Sequence, residues 1–305
     1  MTEMEPETQS QFLSARQSLP FDSTAELVTR IAAQLGSQLS HVRLNGSRKP
    51  MPTTARPAPA RPALVAVAHG SRDPRALRTV TALLDLVREL RPGLDVRLGH
   101  IEIDEPALPA TLAELGAGRA VLVPLLLSRG YHVKQDIPAA VADAPRLRAR
   151  VARPLGPHPL LVEALYERLV EAGWSDGPRA SAAGVVLAGA GSRDPESAAD
   201  TRRTAAMLSE RLGGVPVIPA YASAAAPTVP EALRALAARG RHQVAIASYF
   251  TAPGRFATQS AAHARGVAAA PLGAHPAVAR LVLHRYDQAL AAAPFAAQPR
   301  ELATA

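Results

Sequence analysis

The order of segments along this 305-residue chain repeats, and this repeat constrains its fold more than any other feature. LVAVAHGSRDP at residues 64–74 returns as VVLAGAGSRDP at 185–195, with His69 replaced by Ala190. The offset between matching residues drifts between 117 and 124, as insertions and deletions in loops would produce. Self-similarity of this kind predicts two copies of one structural unit. The further matching segments are PALPATLAELGAG at 106–118 with PTVPEALRALAARG at 227–240, SRGYHVKQ at 128–135 with APGRFATQ at 252–259, and PLGPHP at 154–159 with PLGAHP at 271–276.

Each copy alternates short apolar strands with amphipathic helices. ALVAVA at 63–68 is apolar without a break, which is typical of a strand buried on both faces. Residues 74–90 then place leucine and valine at helical spacing before RPG ends the helix. Strands that alternate with helices imply βαβ units and a parallel sheet. We therefore predict an α/β protein of two duplicated halves, each a parallel sheet with helices on both faces.

The same pattern predicts the domain boundaries. The first half spans residues 61–174 and contains the candidate catalytic residues, and the second half spans 183–294. Residues 1–60 carry a run rich in proline, alanine and arginine without periodicity, so we predict a poorly ordered tail and linker, with one short helix at about 23–39. Residues 295–305 are predicted to form a second tail.

Composition excludes several classes of protein. There is no cysteine, which excludes disulfides and thiolate metal sites. The net charge is +8, but the arginines are dispersed and aromatic residues make up only 4%, which argues against nucleic-acid binding and suits a small polycarboxylated substrate. No apolar run reaches the roughly 20 residues of a membrane helix. The acidic N-terminus lacks the apolar segment of a secretory signal, so we predict a cytoplasmic protein.

Three polar side chains of the first half are lost at matching positions of the second. His69, Glu102 and His132 become Ala190, Ser223 and Phe256 in the second half. Each lies where a predicted strand gives way to its following loop, and in an open parallel sheet these strand ends form the usual ligand crevice. Two imidazoles and one carboxylate suit divalent metals such as Fe²⁺, Co²⁺, Ni²⁺ or Zn²⁺. An imidazole can also accept a proton near neutral pH.

A serine nucleophile is the competing interpretation, because Ser71 follows His69 by two residues. The sequence has no G-x-S-x-G elbow at this point, and SRDP persists in the copy that lost the histidine. We therefore interpret Ser71, Arg72 and Asp73 as loop-forming and helix-capping groups.

Three further histidines of the chain have other interpretations. His100 is either an extra ligand or, as we favour, a wall of the pocket. His158 and His275 recur in both copies before a proline, and are predicted to be structural residues near a helix start.

At these residues the sequence resembles the sirohydrochlorin chelatase family, the anaerobic-type class that inserts Co²⁺ or Fe²⁺ into a modified tetrapyrrole. The resemblance lies in HGSRDP, HIEIDEP and VPLLLSRGYHVKQDIP and covers about residues 63–172. It implies a duplicated chelatase architecture with the active site in the cleft between the halves. It also implies that His69, Glu102 and His132 are the metal-binding and catalytic residues. Residues 1–60 have no counterpart in it.

The resemblance further implies that sirohydrochlorin and a divalent metal ion, Fe²⁺ or Co²⁺, are the substrates, with no organic cofactor. Arginines and backbone N–H groups would hold the carboxylates of the macrocycle, and His132 or Glu102 would take the pyrrole protons. We expect no nucleic-acid or membrane partner, and a monomer because the site is duplicated internally. A chelatase for another metal such as Ni²⁺, or a non-catalytic metal or tetrapyrrole carrier, remain alternatives. The candidate substrate-binding residues are Ser71, Arg72, Arg129, Gly130 and Tyr131, together with Arg193 and Arg255, interpreted as the second-half mirror images of Arg72 and Arg129.

Overall fold

The computed structural model describes residues 61–175, 182–292 and Phe295. The tail predicted for 1–60, with the helix at about 23–39, lies outside the described residues, as does the tail predicted for 295–305 apart from Phe295. The strands are β1 (Ala63–Ala68), β2 (Val96–His100), β3 (Arg119–Pro124), β4 (Arg148–Val151), β5 (Ala183–Gly189), β6 (Val217–Tyr221) and β7 (Gln243–Tyr249). The α-helices are α1 (Pro74–Leu90), α2 (Leu108–Leu115), α3 (Ile137–Ala142), α4 (Pro159–Glu171), α5 (Pro195–Arg211), α6 (Val229–Ala237), α7 (Arg255–Ala261) and α8 (Pro276–Ala291). A π-helical turn, His132–Asp136, precedes α3.

The strands form two parallel sheets, one in each half. The first has the order β2-β1-β3-β4 and the second the order β6-β5-β7. Ala268 forms a single parallel bridge to Ile246 at the edge where β4 lies in the first sheet. The chain leaves β1 toward β2 and returns on its other side as β3, so the strand order reverses between β1 and β3. The α/β fold of two duplicated halves is confirmed.

The sheets are buried on both faces because β1 and β5, at their centres, carry no polar side chain at any position. In β1, Leu64 and Ala66 face the largest core cluster, which also contains residues of the second half. The alternate residues Val65 and Val67 face a smaller cluster with α2. A third cluster covers the corresponding outer face of the second sheet. Successive side chains of a strand point to opposite faces of the sheet. One face of β1 therefore contacts the core that both halves share.

The last helix of each half packs against the other half. Helix α4 lies against α5 and β7, whereas α8 lies against α1 and β3. From α8, the Tyr286 hydroxyl donates to the carbonyl of Pro62, just before β1, over 2.6 Å. From α4, Glu163 accepts two hydrogen bonds from Arg211 at 2.9 and 3.0 Å. This exchange makes the two halves one folding unit.

The repeated turn residues cap helices, as predicted. Asp73 accepts from the Arg75 N–H at 2.9 Å, and Asp194 accepts from the Glu196 N–H at 2.9 Å. A proline follows each aspartate and begins the helix. The structural interpretation of two histidines is also confirmed: the side chains of His158 and His275 cap α4 and α8 by accepting the backbone N–H two residues ahead, at 3.1 and 3.2 Å.

Two elements differ from the expectation. The pattern DVRLGHIEI predicts a strand to Ile103, but β2 ends at His100 because the chain turns, with Ile103 at φ 70°. The sequence also predicts a helix near 135–143, and the helical conformation starts earlier, since the π-helical turn begins at His132. Within the described residues, no helix combines the length and apolarity that crossing a membrane requires.

Candidate active site

A large cavity opens at the carboxyl ends of the central strands, where the strand order reverses. Its volume is about 1120 Å³, and loops of both halves line it. This is slightly above the range of about 300–1,000 Å³ that is usual for small-molecule sites, so the cavity suits a large ligand. Pockets at such switch points are the expected ligand sites of open parallel sheets.

Two imidazoles meet in this cavity. His69 follows β1 and His132 begins the π-helical turn after β3, and both line the cavity. Their ring centroids lie 4.7 Å apart with an angle of 84° between the ring planes. At the equivalent positions of the second half, Ala190 and Phe256 line the same cavity without any group that could bind a metal. The chemistry of the cavity is therefore asymmetric.

A carboxylate holds the ring of His132. Nδ1 of His132 lies 2.5 Å from Oδ2 of Asp136, four residues further along the π-helical turn. A carboxylate accepts hydrogen bonds when it is ionised, so Nδ1 carries the proton and the lone pair of the neutral ring resides on Nε2. Carboxylate partners of this kind orient metal-binding histidines and raise their basicity. Asp136 is a site residue that the sequence prediction missed, although its spacing of four residues after His132 is a usable signal.

The backbone of Glu102, but not its carboxylate, lies next to the two histidines. Its N–H donates to the carbonyl of His69 over 3.0 Å, but its side chain is exposed and is not part of the cavity lining. Among the described residues, no group of three or more histidine, aspartate or glutamate side chains is arranged to hold a metal ion. The structure thus brings the two histidines together and leaves the Glu102 carboxylate outside. Its role as ligand or base stays a prediction.

A close backbone contact explains why glycine recurs in both loops. Gly70 has φ 99°, and a Cβ atom there would lie 1.8 Å from the carbonyl oxygen of Glu102. Gly191 repeats this contact, with φ 93° and 1.9 Å to the carbonyl oxygen of Ser223. A side chain at either position would therefore displace the neighbouring loop.

Ser71 forms the turn that its repetition predicts. Its hydroxyl accepts from the Asp73 N–H at 3.1 Å, and its own N–H donates to Asp104 over 2.8 Å. Ser192 accepts from the Asp194 N–H in the same way at 3.1 Å. A turn role shared by both halves favours the capping interpretation over a nucleophile.

The structure also supports the wall interpretation of His100. The ring is only 1% exposed, lines the cavity, and lies with Nδ1 3.2 Å from the carbonyl oxygen of Pro106.

The predicted arginines divide into three groups. Arg72 and Arg255 are exposed and line the cavity, and Arg255 lies over the ring of Phe256 at 4.7 Å. Arg193 is exposed but is not part of the lining. Arg129 is also absent from the lining, because its guanidinium pairs with carboxylates of α5 in the second half. Its prediction as a substrate-binding residue is not supported by this geometry.

The offset of 124 residues also corrects the proposed mirror image of Arg129. Arg255 is equivalent to Tyr131, and Pro253 is equivalent to Arg129. Gly130 and Tyr131 both line the cavity, with Tyr131 66% exposed at its mouth.

The CbiX family model matches residues 63–172 and again residues 184–289, which together cover most of the chain and both of its halves. The chain belongs to the CbiX family. The two matches fall on the two halves of the fold, so the duplication is a duplication of the CbiX unit itself.

Curated relatives differ in how much of this chain they match. The sirohydrochlorin ferrochelatase of Bacillus subtilis (strain 168) is 30% identical over 176 residues, which is 55% of this chain and 66% of that protein. The alignment therefore spans just under two thirds of the relative. The sirohydrochlorin cobaltochelatase of Methanopyrus kandleri is 29% identical over 137 residues, covering 36% of this chain and 96% of that protein.

Among solved structures, SirB from Bacillus subtilis with Fe³⁺ superposes with a TM-score of 0.62 at 27% identity. The superposition covers 76% of this chain and 96% of SirB. The CbiX fold therefore extends over both halves of this chain.

Proposed function

We propose that this chain is a sirohydrochlorin chelatase, which inserts Fe²⁺ or Co²⁺ into sirohydrochlorin. The observation that carries the proposal is the pair of imidazoles, His69 and His132, 4.7 Å apart in a cavity shared by two CbiX units. The names of the relatives support the same chemistry for both metals.

The two histidines receive the metal ion. Neutral imidazoles bind first-row divalent ions, and Asp136 leaves Nε2 of His132 free for this purpose. Two protein ligands without a thiolate leave most of the coordination positions of the ion open. The pyrrole nitrogens can then take those positions, and the ion leaves the protein with the product.

The cavity mouth suits the flat face of a macrocycle. Leu77, Ile103 and Tyr131 are exposed apolar or aromatic side chains, and all three line the cavity. Burial of such surfaces against a ligand is favourable because it removes apolar area from water. Arg72 in the first half and Arg255 in the second would bind carboxylates at the edge of the macrocycle.

Insertion also requires that the pyrrole N–H protons leave. The imidazole of His132 is one acceptor, because Nε2 becomes free for a proton once the ion has passed to the pyrrole nitrogens. Asp136 would stabilise the resulting imidazolium by accepting the hydrogen bond from Nδ1. Glu102 is the other, and it would act only after the loop at 101–106 moves its side chain toward the cavity.

We further propose a monomer that works in the cytoplasm without an organic cofactor. Both halves of this chain contribute to one cavity, so a second copy is not needed to complete it. A molar mass measurement by light scattering tests the monomer directly.

Purified protein mixed with sirohydrochlorin and either Fe²⁺ or Co²⁺ tests the activity through the change in tetrapyrrole absorption. We expect many equivalents of metallated product per protein. A yield that stops at one equivalent would instead indicate a carrier, and product formed only with Ni²⁺ would indicate a different chelatase.

A further inference from the structure

The loop that carries His132 is held by the second half of the protein, which lacks equivalents of His69 and His132. This loop runs from the end of β3 to the π-helical turn. The Thr251 hydroxyl donates to the carbonyl of Leu125 and the Tyr249 hydroxyl to the carbonyl of Leu127, both over 2.8 Å. The next loop residue, Ser128, lies 2.8 Å from Ser197, hydroxyl to hydroxyl.

Arg129 makes the strongest of these contacts. Its backbone N–H and its Nε both donate to Oδ2 of Asp200 at 2.9 Å, and its Nη2 donates to Oδ1 at 2.7 Å. Nη1 donates to Glu196 over 2.6 Å. Asp200 is only 4% exposed, so this carboxylate is removed from water and depends on Arg129 for its hydrogen bonds. Burial raises the pKa of Asp200, but the hydrogen bonds from Arg129 outweigh it, so the net pKa is lowered.

The other side of His132 is fixed to the same helix. Lys134 lies 2.6 Å from Asp194 and 2.5 Å from Glu196, measured from Nζ to the carboxylate oxygens. His132 therefore lies between two basic residues that are both paired with the first turns of α5. A loop anchored on both sides has less freedom to move the imidazole between them.

The second half holds the loop of the first half through these ion pairs, but among the described residues the first half does not hold the equivalent loop of the second in this way. By the offset of 121, Asp200 and Glu196 are equivalent to Thr79 and Arg75 of the first half, neither of which is acidic. By the offset of 124, Arg129 and Lys134 are equivalent to Pro253 and Thr258. Proline has no backbone N–H and no side-chain donor, so the equivalent loop of the second half cannot form this contact. The acidic residues and their basic partners thus belong to the arrangement around the retained histidine.

We propose that Asp200 and Glu196 are positioning residues: the second half holds Arg129 and Lys134 and thereby fixes His132 for metal binding. The second half lacks equivalents of His69 and His132 and provides the anchor for His132. The expected change in kcat rests on the proposed function, whereas the expected change in Co²⁺ affinity does not depend on it.

Asp200→Asn tests the proposal, because it keeps the shape of the side chain and removes its charge. Glu163→Gln is the matched control, since Glu163 also pairs with an arginine across the halves, at 2.9 and 3.0 Å, but neither partner lines the cavity. Two quantities are measured for each variant: the affinity for Co²⁺ alone, and kcat and KM for insertion of Co²⁺ into sirohydrochlorin.

For Asp200→Asn we expect a loss of about 10–100-fold in Co²⁺ affinity and in kcat, the range typical of groups that orient metal ligands. KM for sirohydrochlorin should change little, because Arg129 and Asp200 are not part of the cavity lining. Glu163→Gln should leave all three quantities near those of the unaltered protein. Equal effects of the two variants on Co²⁺ affinity and kcat would overturn the proposal.

A second variant decides the matter if Asp200→Asn does not fold. Lys134→Met breaks the half-exposed ion pairs with Asp194 and Glu196. It should reduce Co²⁺ affinity and kcat in the same direction, and unchanged values of both would overturn the proposal. If the unaltered protein inserts no metal while the variants still lose Co²⁺ affinity, the proposed function fails and the positioning role stands.

Discussion

Arg168 in α4 and Arg285 in α8 are equivalent residues, 117 positions apart, that make the same contact in opposite directions. Nη2 of Arg168 donates to the carbonyl of Leu272 in the second half, and Nη2 of Arg285 donates to the carbonyl of Leu155 in the first, both over 2.9 Å. The two contacts mark the internal symmetry of the exchanged helices. Their surroundings differ, because Arg285 is only 4% exposed. Burial lowers the pKa of Arg285, and the positive charge of Arg153 lowers it further by a smaller amount.

The two arginines should therefore differ in their contribution to stability. Arg168→Met removes the donor from Leu272 and should lower the free energy of unfolding by about 1–3 kcal/mol. Arg285→Met should cost less, because it also removes a buried charge. Urea unfolding followed by circular dichroism measures both values. An equal or larger loss in Arg285→Met would contradict the expectation.

Loss of one active-site histidine should affect turnover far more than change at the equivalent position of the second half. His69→Ala should reduce kcat by about 10²–10⁴-fold, the range for loss of a positioned proton-transfer group, and metal binding should weaken with it. Phe256→Leu alters only packing in the cavity and should mainly change KM for sirohydrochlorin. Steady-state kinetics at saturating metal compares them. Equal losses of kcat would show that both halves contribute chemistry.

The carboxylate of Asp136 should affect metal binding and turnover because it orients the ring of His132. Asp136→Asn removes the negative charge that strengthens the hydrogen bond from Nδ1 and introduces an amide donor next to the ring. We expect a loss of about 10–100-fold in kcat and in Co²⁺ affinity. Asp143→Asn removes an exposed carboxylate from the same segment and serves as the control. If Asp136→Asn behaves like this control, the hydrogen bond has no role in the reaction.

The close contact at Gly70 should make substitution there costly. Gly70→Ala would place a Cβ atom 1.8 Å from the carbonyl oxygen of Glu102 and so displace the loop next to His69. Gly93→Ala is the control, since Gly93 also has a positive φ, 77°, but nothing lies within 4 Å of its added Cβ. We expect lower kcat and lower thermal stability in Gly70→Ala than in Gly93→Ala. Matching melting temperatures and kinetics in the two variants would exclude a steric effect.

His158 should make the stability depend on pH. Burial lowers its pKa from the ordinary 6.5 to about 4, with smaller effects from Arg285 and His284. The unfolded chain then binds more protons than the folded one between these values, so stability is complete above about pH 6.5 and falls as the pH decreases toward 4. His158→Asn keeps a helix-capping side chain and removes the titration, so it should flatten this slope. The free energy of unfolding measured across this range would contradict the assignment if the slope is unchanged.

The sequence predicted the fold because duplication and apolar periodicity are local patterns that both halves share. The apolar run ALVAVA predicted β1 with its correct bounds. The replacement of His69 by Ala190 in the second half pointed to a residue that lines the cavity. The orientation of a side chain at a tight turn leaves no such pattern. The position of the Glu102 carboxylate therefore required the structure, as it follows from the turn at Ile103.

The pairing of Arg129 was missed for a different reason. An arginine next to a predicted pocket looks the same in sequence whether it faces substrate or a carboxylate from a distant helix. The signal was present in the comparison of the halves, where Asp200 replaces Thr79. Residues lost from the second half identify the candidate metal ligands, whereas acidic residues gained there identify the partners of Arg129.

Because α4 and α8 each pack against the opposite half, the first half cannot reach its final packing until the second has been synthesised. Strands β1–β3 leave the ribosome long before α8, which covers the face of the first sheet. At about 5–20 residues per second, that face waits for its helix for roughly ten seconds or more. During this time the apolar surface that α8 covers in the complete protein is exposed on the nascent first half. Expression of residues 61–175 alone should therefore give a chain that needs the second half, supplied in trans, to remain in solution.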